Sequence, residues 1–256
     1  MDVAKDFCNI FWVMPEEYIY AIVVMIVLVG LYFLFRYSYY NTTAIVAGGE
    51  SYYVHREHHN GADAAKLLRE VIERNKILMK YLELKYNISN LGNMNPEKAG
   101  KIDVIPMGDD EDDIIASNMP YLLNDMNYLG ERVVQLKSRY KVDRISEISP
   151  LNPSGSTSYT ENKGEKLVLC LRNKEPNLQG EYEFHDINLI MFVVLHELTH
   201  VMNDRWGHKM QFWQLFKFVL QNAVECDIYK PIDYRKDPAR YCGMDITYNP
   251  YYDSAM

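Results

Sequence analysis

Cysteine is scarce in this chain. The four that occur, Cys8, Cys170, Cys226 and Cys242, stand at irregular spacing with no CxxC pair. That argues against a dense disulfide framework and suits free thiols in a reducing compartment, with room at most for a single bridge. Basic excess is absent as well. A net charge of −8 and a pI near 5.4 leave no bulk electrostatic attraction for nucleic acid, so any such partner would need a local cationic patch. The spaced EF-hand pattern with its glycine is missing, so the carboxylates of 109–113 read as a solvated loop or helix start rather than a calcium site.

Apolar runs long enough to cross a bilayer are also missing, except for one. Residues 18–35 carry no charged side chain and are bounded by Glu16, Glu17 and Arg36. At about 1.5 Å per residue they cover most of a hydrocarbon core about 30 Å thick, and Trp12, Tyr18, Tyr20, Tyr37, Tyr39 and Tyr40 supply interfacial aromatics. The expectation is one transmembrane helix over 18–36, in contact with lipid, after a short N-terminal segment 1–17. A cleaved signal peptide is the rival reading, but the preceding segment is acidic and the run is long for that role. Asp2, Asp6, Glu16 and Glu17 outnumber Lys5 before the helix, whereas Arg36 and Arg56 follow it. The positive-inside tendency therefore puts the N-terminus outside and the larger C-terminal part in the cytosol, in line with unpaired thiols. Asn41-Thr42-Thr43 and Asn87-Ile88-Ser89 match the glycosylation acceptor pattern, and a glycan on Asn87 would reverse that orientation.

What is present centres on Val193-Val194-Leu195-His196-Glu197-Leu198-Thr199-His200, followed by Gly207-His208. His196 and His200 are i and i+4 on a helix, so their imidazoles leave one face a single turn apart and can hold one metal ion, with Glu197 beside it. The apolar run 187–195 suits a buried helix that holds ligands rigidly. Zn²⁺ in a catalytic site takes three protein ligands and keeps an open position; His208 is the nearest third candidate. Glu225, in Asn222-Ala223-Val224-Glu225-Cys226-Asp227, is the rival third ligand, since some zinc peptidases use a downstream helical Glu. Cys242 as a fourth ligand would close the site and make zinc structural. Asp186 and Asp204 are candidates to orient the imidazoles from behind.

Around the motif, 37–60 reads as a juxtamembrane linker, its His55, His58 and His59 solvated. Residues 62–86 read as an amphipathic helix with Leu67, Leu68, Val71, Ile72, Leu78, Met79 and Leu82 on one stripe, either packed on the domain or serving as a stalk. Breakers fill 87–106, a helix spans 120–140, 142–148 is short and alternating, 150–157 is loop, and 166–172 is a buried or edge strand. A strand beside the metal helix would offer an extended peptide an edge to add to. The Tyr-rich tail 241–252 reads as a segment that packs on the domain, with a Met under the metal or a Tyr facing the oxyanion as the functional alternative.

The series of helix 120–140, KVDRISEISPLNP, EKLVLCLRN, INLIMFVVLHELTH and GHKMQFWQLF resembles the WLM metallopeptidases, relatives of the SprT and Spartan proteases that act on DNA–protein crosslinks. It covers about 120–220. The resemblance implies an α+β, zincin-like metallopeptidase domain over 61–256 with His196, His200 and His208 as zinc ligands and Glu197 as general base. It also leaves nucleic acid open as a partner and suggests a membrane-enclosed setting such as the virion of a large DNA virus. This chain departs from the pattern in the wider spacing between His200 and His208, in the membrane segment ahead of the domain, and in lacking a basic or SUMO-binding tail. The expected activity is zinc-dependent hydrolysis of peptide bonds in a protein or peptide substrate, with Glu197 taking a proton from a metal-polarised water. The alternative is a membrane-anchored structural or interaction protein with a structural zinc site.

Overall fold

The computed structural model describes residues 15–39, 42–56, 58–86, 123–124, 126–148, 157–205 and 207–254. Cys8, the acidic run 109–113, the breaker-rich stretch 87–106, the loop at 150–156 and the acceptor asparagines Asn41 and Asn87 lie outside them. The chain divides into two compact units, before and from Thr42.

The first unit is α1 (Glu16–Tyr39), with Glu16 and Glu17 in its first turn, where the helix dipole favours negative charge. Its span Glu16–Leu34 has a mean hydropathy of 2.2 and none of it is buried. By length and composition it can cross a membrane or serve as a signal sequence.

The second unit is α+β. It runs β1 (Thr42–Ala47), β2 (Glu50–His55), α2 (Gly61–Lys85), α3 (Met126–Arg139), β3 (Ile145–Glu147), β4 (Tyr159–Glu161), β5 (Lys166–Leu169), α4 (Ile187–Met202), α5 (Met210–Glu225), β6 (Ala239–Tyr241) and β7 (Met244–Ile246), then a short 3₁₀ turn at Pro250–Tyr252. A five-stranded sheet has the order β1-β2-β3-β5-β4. Its β1/β2 and β4/β5 pairs are antiparallel, whereas β2/β3 and β3/β5 are parallel. β6 and β7 form a separate antiparallel hairpin.

One sequence expectation changes here. Residues 42–55 are not a solvated linker but a sheet hairpin, turned at Gly48 and Gly49, both with positive φ, as a two-residue hairpin loop requires. Tyr52, Val54 and His55 are buried. His55 belongs to a polar knot: its backbone N–H donates to Glu147 Oε2 at 2.8 Å, while Arg172 Nε donates to Glu147 Oε1 at 2.5 Å. Arg172 also reaches the Asn60 side chain, so the buried pair fastens the segment after β2 to the middle of the sheet. His58 packs against Tyr182, with ring centroids 5.0 Å apart. The strand expected over 166–172, buried or at an edge, is β5 and lies inside the sheet; the edge strand beside it is β4. The turn joining them, Asn162-Lys163-Gly164, has φ of 47°, 53° and 110°. Only glycine fits the last position comfortably, and a Cβ there would also press on Val201 and on the Arg139 backbone.

α2 is a packing helix. Ala64, Ala65, Leu68, Val71, Ile72, Leu78 and Leu82 are buried and pack on β1–β3, α3, α4 and α5. The helical spacing of its apolar residues is what puts them on one face. α4 is apolar nearly all round because it is enclosed nearly all round: Ile190 to Leu195 are buried among α2, α3, α5, β4 and β5. A helix gripped on so many sides cannot rotate, and that fixes where its histidines point.

Candidate metal centre and cleft

α4 begins at Asp186, whose side chain accepts the Asn188 N–H, satisfying one of the helix's orphan donors. It ends at Asn203, and the following loop turns through Gly207, at φ +81°, before α5 starts. Side chains from two elements, α3 and the β4–β5 turn, hold that loop. The Asp204 carboxylate accepts from Arg132, from Gln135 Nε2 at 2.5 Å and from Arg139 at 3.4 Å. Lys163, from the β4–β5 turn, donates to the Asn203 and Asp204 carbonyls at 3.2 and 2.7 Å. Asp186 and Asp204 thus act on the helix and its loop: one caps the start of α4, and the other anchors the segment that presents His208.

The Nε2 atoms of His196, His200 and His208 lie 3.0–3.2 Å from one another. Three ring nitrogens with lone pairs repel at that distance unless a proton or a cation sits among them. The separations are a little shorter than the tetrahedral spacing about a Zn²⁺ bound at about 2.0–2.1 Å per nitrogen, so the donor set fits such an ion. Burial, and for the first two the neighbouring rings or the Lys163 ammonium, lowers the pKa of all three, to about 3 for His196 and about 4 for His200. Neutral imidazoles are the form that ligates metal. Beneath them lies Phe212, fully buried, with its ring 4.4–4.8 Å from all three imidazoles. Phe216 packs on His196 at 5.3 Å and Trp213 on His208 at 5.8 Å. This aromatic floor excludes water from below and fixes the rings.

Glu197 is buried beside the cluster. Desolvation pushes its carboxyl up to about 8, partly offset by hydrogen bonds from the Thr160 backbone and hydroxyl of β4. The edge strand therefore touches the carboxylate directly. Sequence reasoning missed this strand, although the Asn162-Lys163-Gly164 turn after Tyr159-Thr160-Glu161 signals it.

Histidines and Glu197 line a cleft of about 590 Å³. One side carries Thr157, Ser158, Tyr159, Thr160, Asn162 and Lys163 from around β4; another carries Trp213 and Phe216 of α5 with Met244, Ile246 and Tyr248 from the β6–β7 hairpin and its exit.

Two other candidates lie elsewhere. Glu225 is bound to α2: its carboxylate accepts from Tyr81 Oη at 2.6 Å and pairs with Lys85, and it is not part of the histidine group. Cys242 is not a free thiol but is joined to Cys170, the residue after β5, the single bridge for which the cysteine spacing left room; among the described residues Cys226 alone is free. The bridge is surrounded by polar pairing. The Cys242 N–H donates to His185 Nε2 at 3.1 Å, the Cys170 N–H to Ser158 Oγ at 3.0 Å, and Ser158 Oγ lies 2.7 Å from the buried Tyr241 hydroxyl. Together these tie the hairpin, and with it one wall of the cleft, to β4 and β5.

Comparison with known proteins places these features in context. The WLM domain family matches residues 121–250, about half of the chain. The chain is 37% identical over 129 residues to "Uncharacterized protein R325" of Acanthamoeba polyphaga mimivirus, covering 49% of this chain and 62% of that protein. It is 36% identical over 75 residues to "Uncharacterized protein 136R" of Invertebrate iridescent virus 6, covering 29% of this chain and 40% of the relative. The chain thus spans 62% and 40% of these two relatives, less than two thirds of either. No solved structure matches it.

Proposed function

This chain belongs to the WLM domain family, and from that premise we propose that it is a zinc-dependent metallopeptidase carried on a membrane helix. The observation that carries the reading is the convergence of the His196, His200 and His208 Nε2 atoms within 3.2 Å of one another, in an open cleft with Glu197 alongside. In the proposed assignment these three histidines hold the ion. Zinc, when bound, would act as a Lewis acid toward a peptide carbonyl and lower the pKa of water at its open position.

The remaining chemistry belongs to the chain. Glu197 takes the proton from the attacking water at its carboxylate and delivers it to the leaving amine. Thr160 holds the carboxylate through two hydrogen bonds, and the aromatic floor of Phe212 and Phe216 keeps the ligand rings from swinging. An extended substrate can lie along β4, the exposed edge of the sheet, and pair with its backbone.

The structural-zinc alternative requires a closed, four-ligand site. Cys242 is engaged in a disulfide, and among the described residues the group contains the three histidines only, so the open-site reading is preferred.

We place α1 in a membrane, and the viral relatives suit a host or virion membrane. The flanking charges point the domain toward the cytosol, but by a margin of only one or two. The buried Cys170–Cys242 bridge is the stronger signal and favours an oxidising compartment for the domain.

The site assignment is tested by zinc stoichiometry. His208→Ala should weaken zinc binding by more than the roughly 10–100-fold that loss of a supporting residue costs, while Glu225→Ala should keep it. Full zinc retention in His208→Ala, or loss in Glu225→Ala, would overturn it.

A further inference from the structure

We propose that Trp213, Ile246 and Tyr248, backed by the fully buried Phe216, form an apolar side-chain subsite beside the histidines, selecting substrates with a bulky apolar residue next to the scissile bond; this rests on the peptidase reading above. The two sides of the cleft differ in chemistry. The side from around β4 is mostly polar, with Thr157, Ser158, Thr160, Asn162 and Lys163 beside the single aromatic Tyr159. The opposite wall comes from α5 and the β6–β7 hairpin and is apolar or aromatic, apart from Asp245 and Thr247.

This wall is not a sealed core. Met244 is 51% exposed, and Ile246, Trp213 and Tyr248 are each only partly buried. Apolar atoms left facing water inside a concave site are the usual lining of a ligand pocket. Their position sets which substrate residue would fill the space. Trp213 is 5.8 Å from the His208 ring and Phe216 is 5.3 Å from the His196 ring, so the wall abuts the metal centre itself. Trp213 in turn meets Tyr248 edge-on at 5.4 Å, which carries the aromatic surface from α5 across to the segment after the hairpin. A side chain seated there belongs to a residue flanking the bond that is cut, not to a distant one.

The wall is also preformed. The Cys170–Cys242 bridge, the Cys242–His185 hydrogen bond and the Ser158–Tyr241 contact fix the hairpin before substrate arrives, so little ordering cost falls on binding. Leucine, methionine, phenylalanine and tyrosine have the size and apolarity to cover Ile246 and Trp213, whereas glycine or aspartate would leave the surface wet or strand a charge.

The test uses the zinc-loaded full-length chain in detergent and a peptide library randomised on both sides of the cleavage point, with sites read by mass spectrometry. The expected result is enrichment of bulky apolar residues at one flanking position by about tenfold or more over aspartate and glycine. Ile246→Ala should weaken that preference, and Ile246→Lys should shift it toward acidic residues at the same position. Binding of the library to Glu197→Gln protein reads the same preference without turnover. Absence of cleavage would therefore count against the peptidase reading, while the retained peptides still decide the subsite. No enrichment at either flanking position, or enrichment unchanged in Ile246→Lys, would overturn the proposal.

Discussion

Thr160 donates to the Glu197 carboxylate from both its backbone N–H and its hydroxyl, which joins the edge strand of the sheet to the side chain assigned as general base. A strand that aligns a peptide and also holds the base sets the distance between the two. Thr160→Val removes the hydroxyl while keeping the β-branched shape and the backbone bond. We expect kcat to fall about tenfold, the equivalent of one hydrogen bond of about 1–1.5 kcal/mol, with zinc content and KM nearly unchanged. An undiminished kcat in a zinc-replete Thr160→Val protein would show that the hydroxyl plays no part.

His185 supplies a pH dependence separate from the metal ligands. It is buried, accepts the Cys242 N–H and bonds to the Arg172 backbone; burial lowers its pKa to about 4 from an ordinary 6.5. The folded value lies below the unfolded one. Between pH 6.5 and 4 the unfolded chain therefore binds a proton that the folded chain refuses, and stability falls as pH falls through that window. The loss amounts to about 3 kcal/mol. His185→Gln keeps an acceptor that does not titrate, so in chelator its stability curve should fall less steeply than the wild type over that range. Parallel urea-denaturation curves for the two proteins would contradict this.

The Cys170–Cys242 bridge closes a loop with a sequence separation of 72. Chain-entropy arguments give about 4 kcal/mol of stabilisation for a loop of that size. Differential alkylation of protein taken directly from producing cells should find these two cysteines protected and Cys226 free. Reduction or Cys170→Ser should lower the unfolding midpoint and loosen the β6–β7 hairpin first. Free thiols at both positions in cells would instead restore the cytosolic placement that the flanking charges suggest.

The helices and the histidine cluster were legible in the sequence because both are local patterns. The i, i+4 histidines, the apolar run before them and the stripe Leu68, Val71, Ile72, Leu78, Leu82 follow from a single helical period, and the structure places each on the face that period implies. What escaped depended on partners distant in the chain. β4 is three residues long and gains its identity only by pairing with β5. His55 looked solvated because Glu147 and Arg172, its neighbours in the sheet, lie far along the chain. The pairing of Cys170 with Cys242 has no spacing signature, and Glu225 could be set apart from the histidines only once Tyr81 and Lys85 of α2 were seen to hold it.

The central claim is that Glu197 performs catalysis beside a metal held by three histidines. Its most direct test compares wild-type and Glu197→Gln full-length protein, both zinc-loaded, for metal content and peptide hydrolysis. The account predicts one zinc per chain in each protein and at least a 100-fold loss of hydrolysis in the variant, within the range for removing a general acid–base. Equal hydrolysis by the two proteins at equal zinc occupancy, or no bound zinc in either, would contradict it.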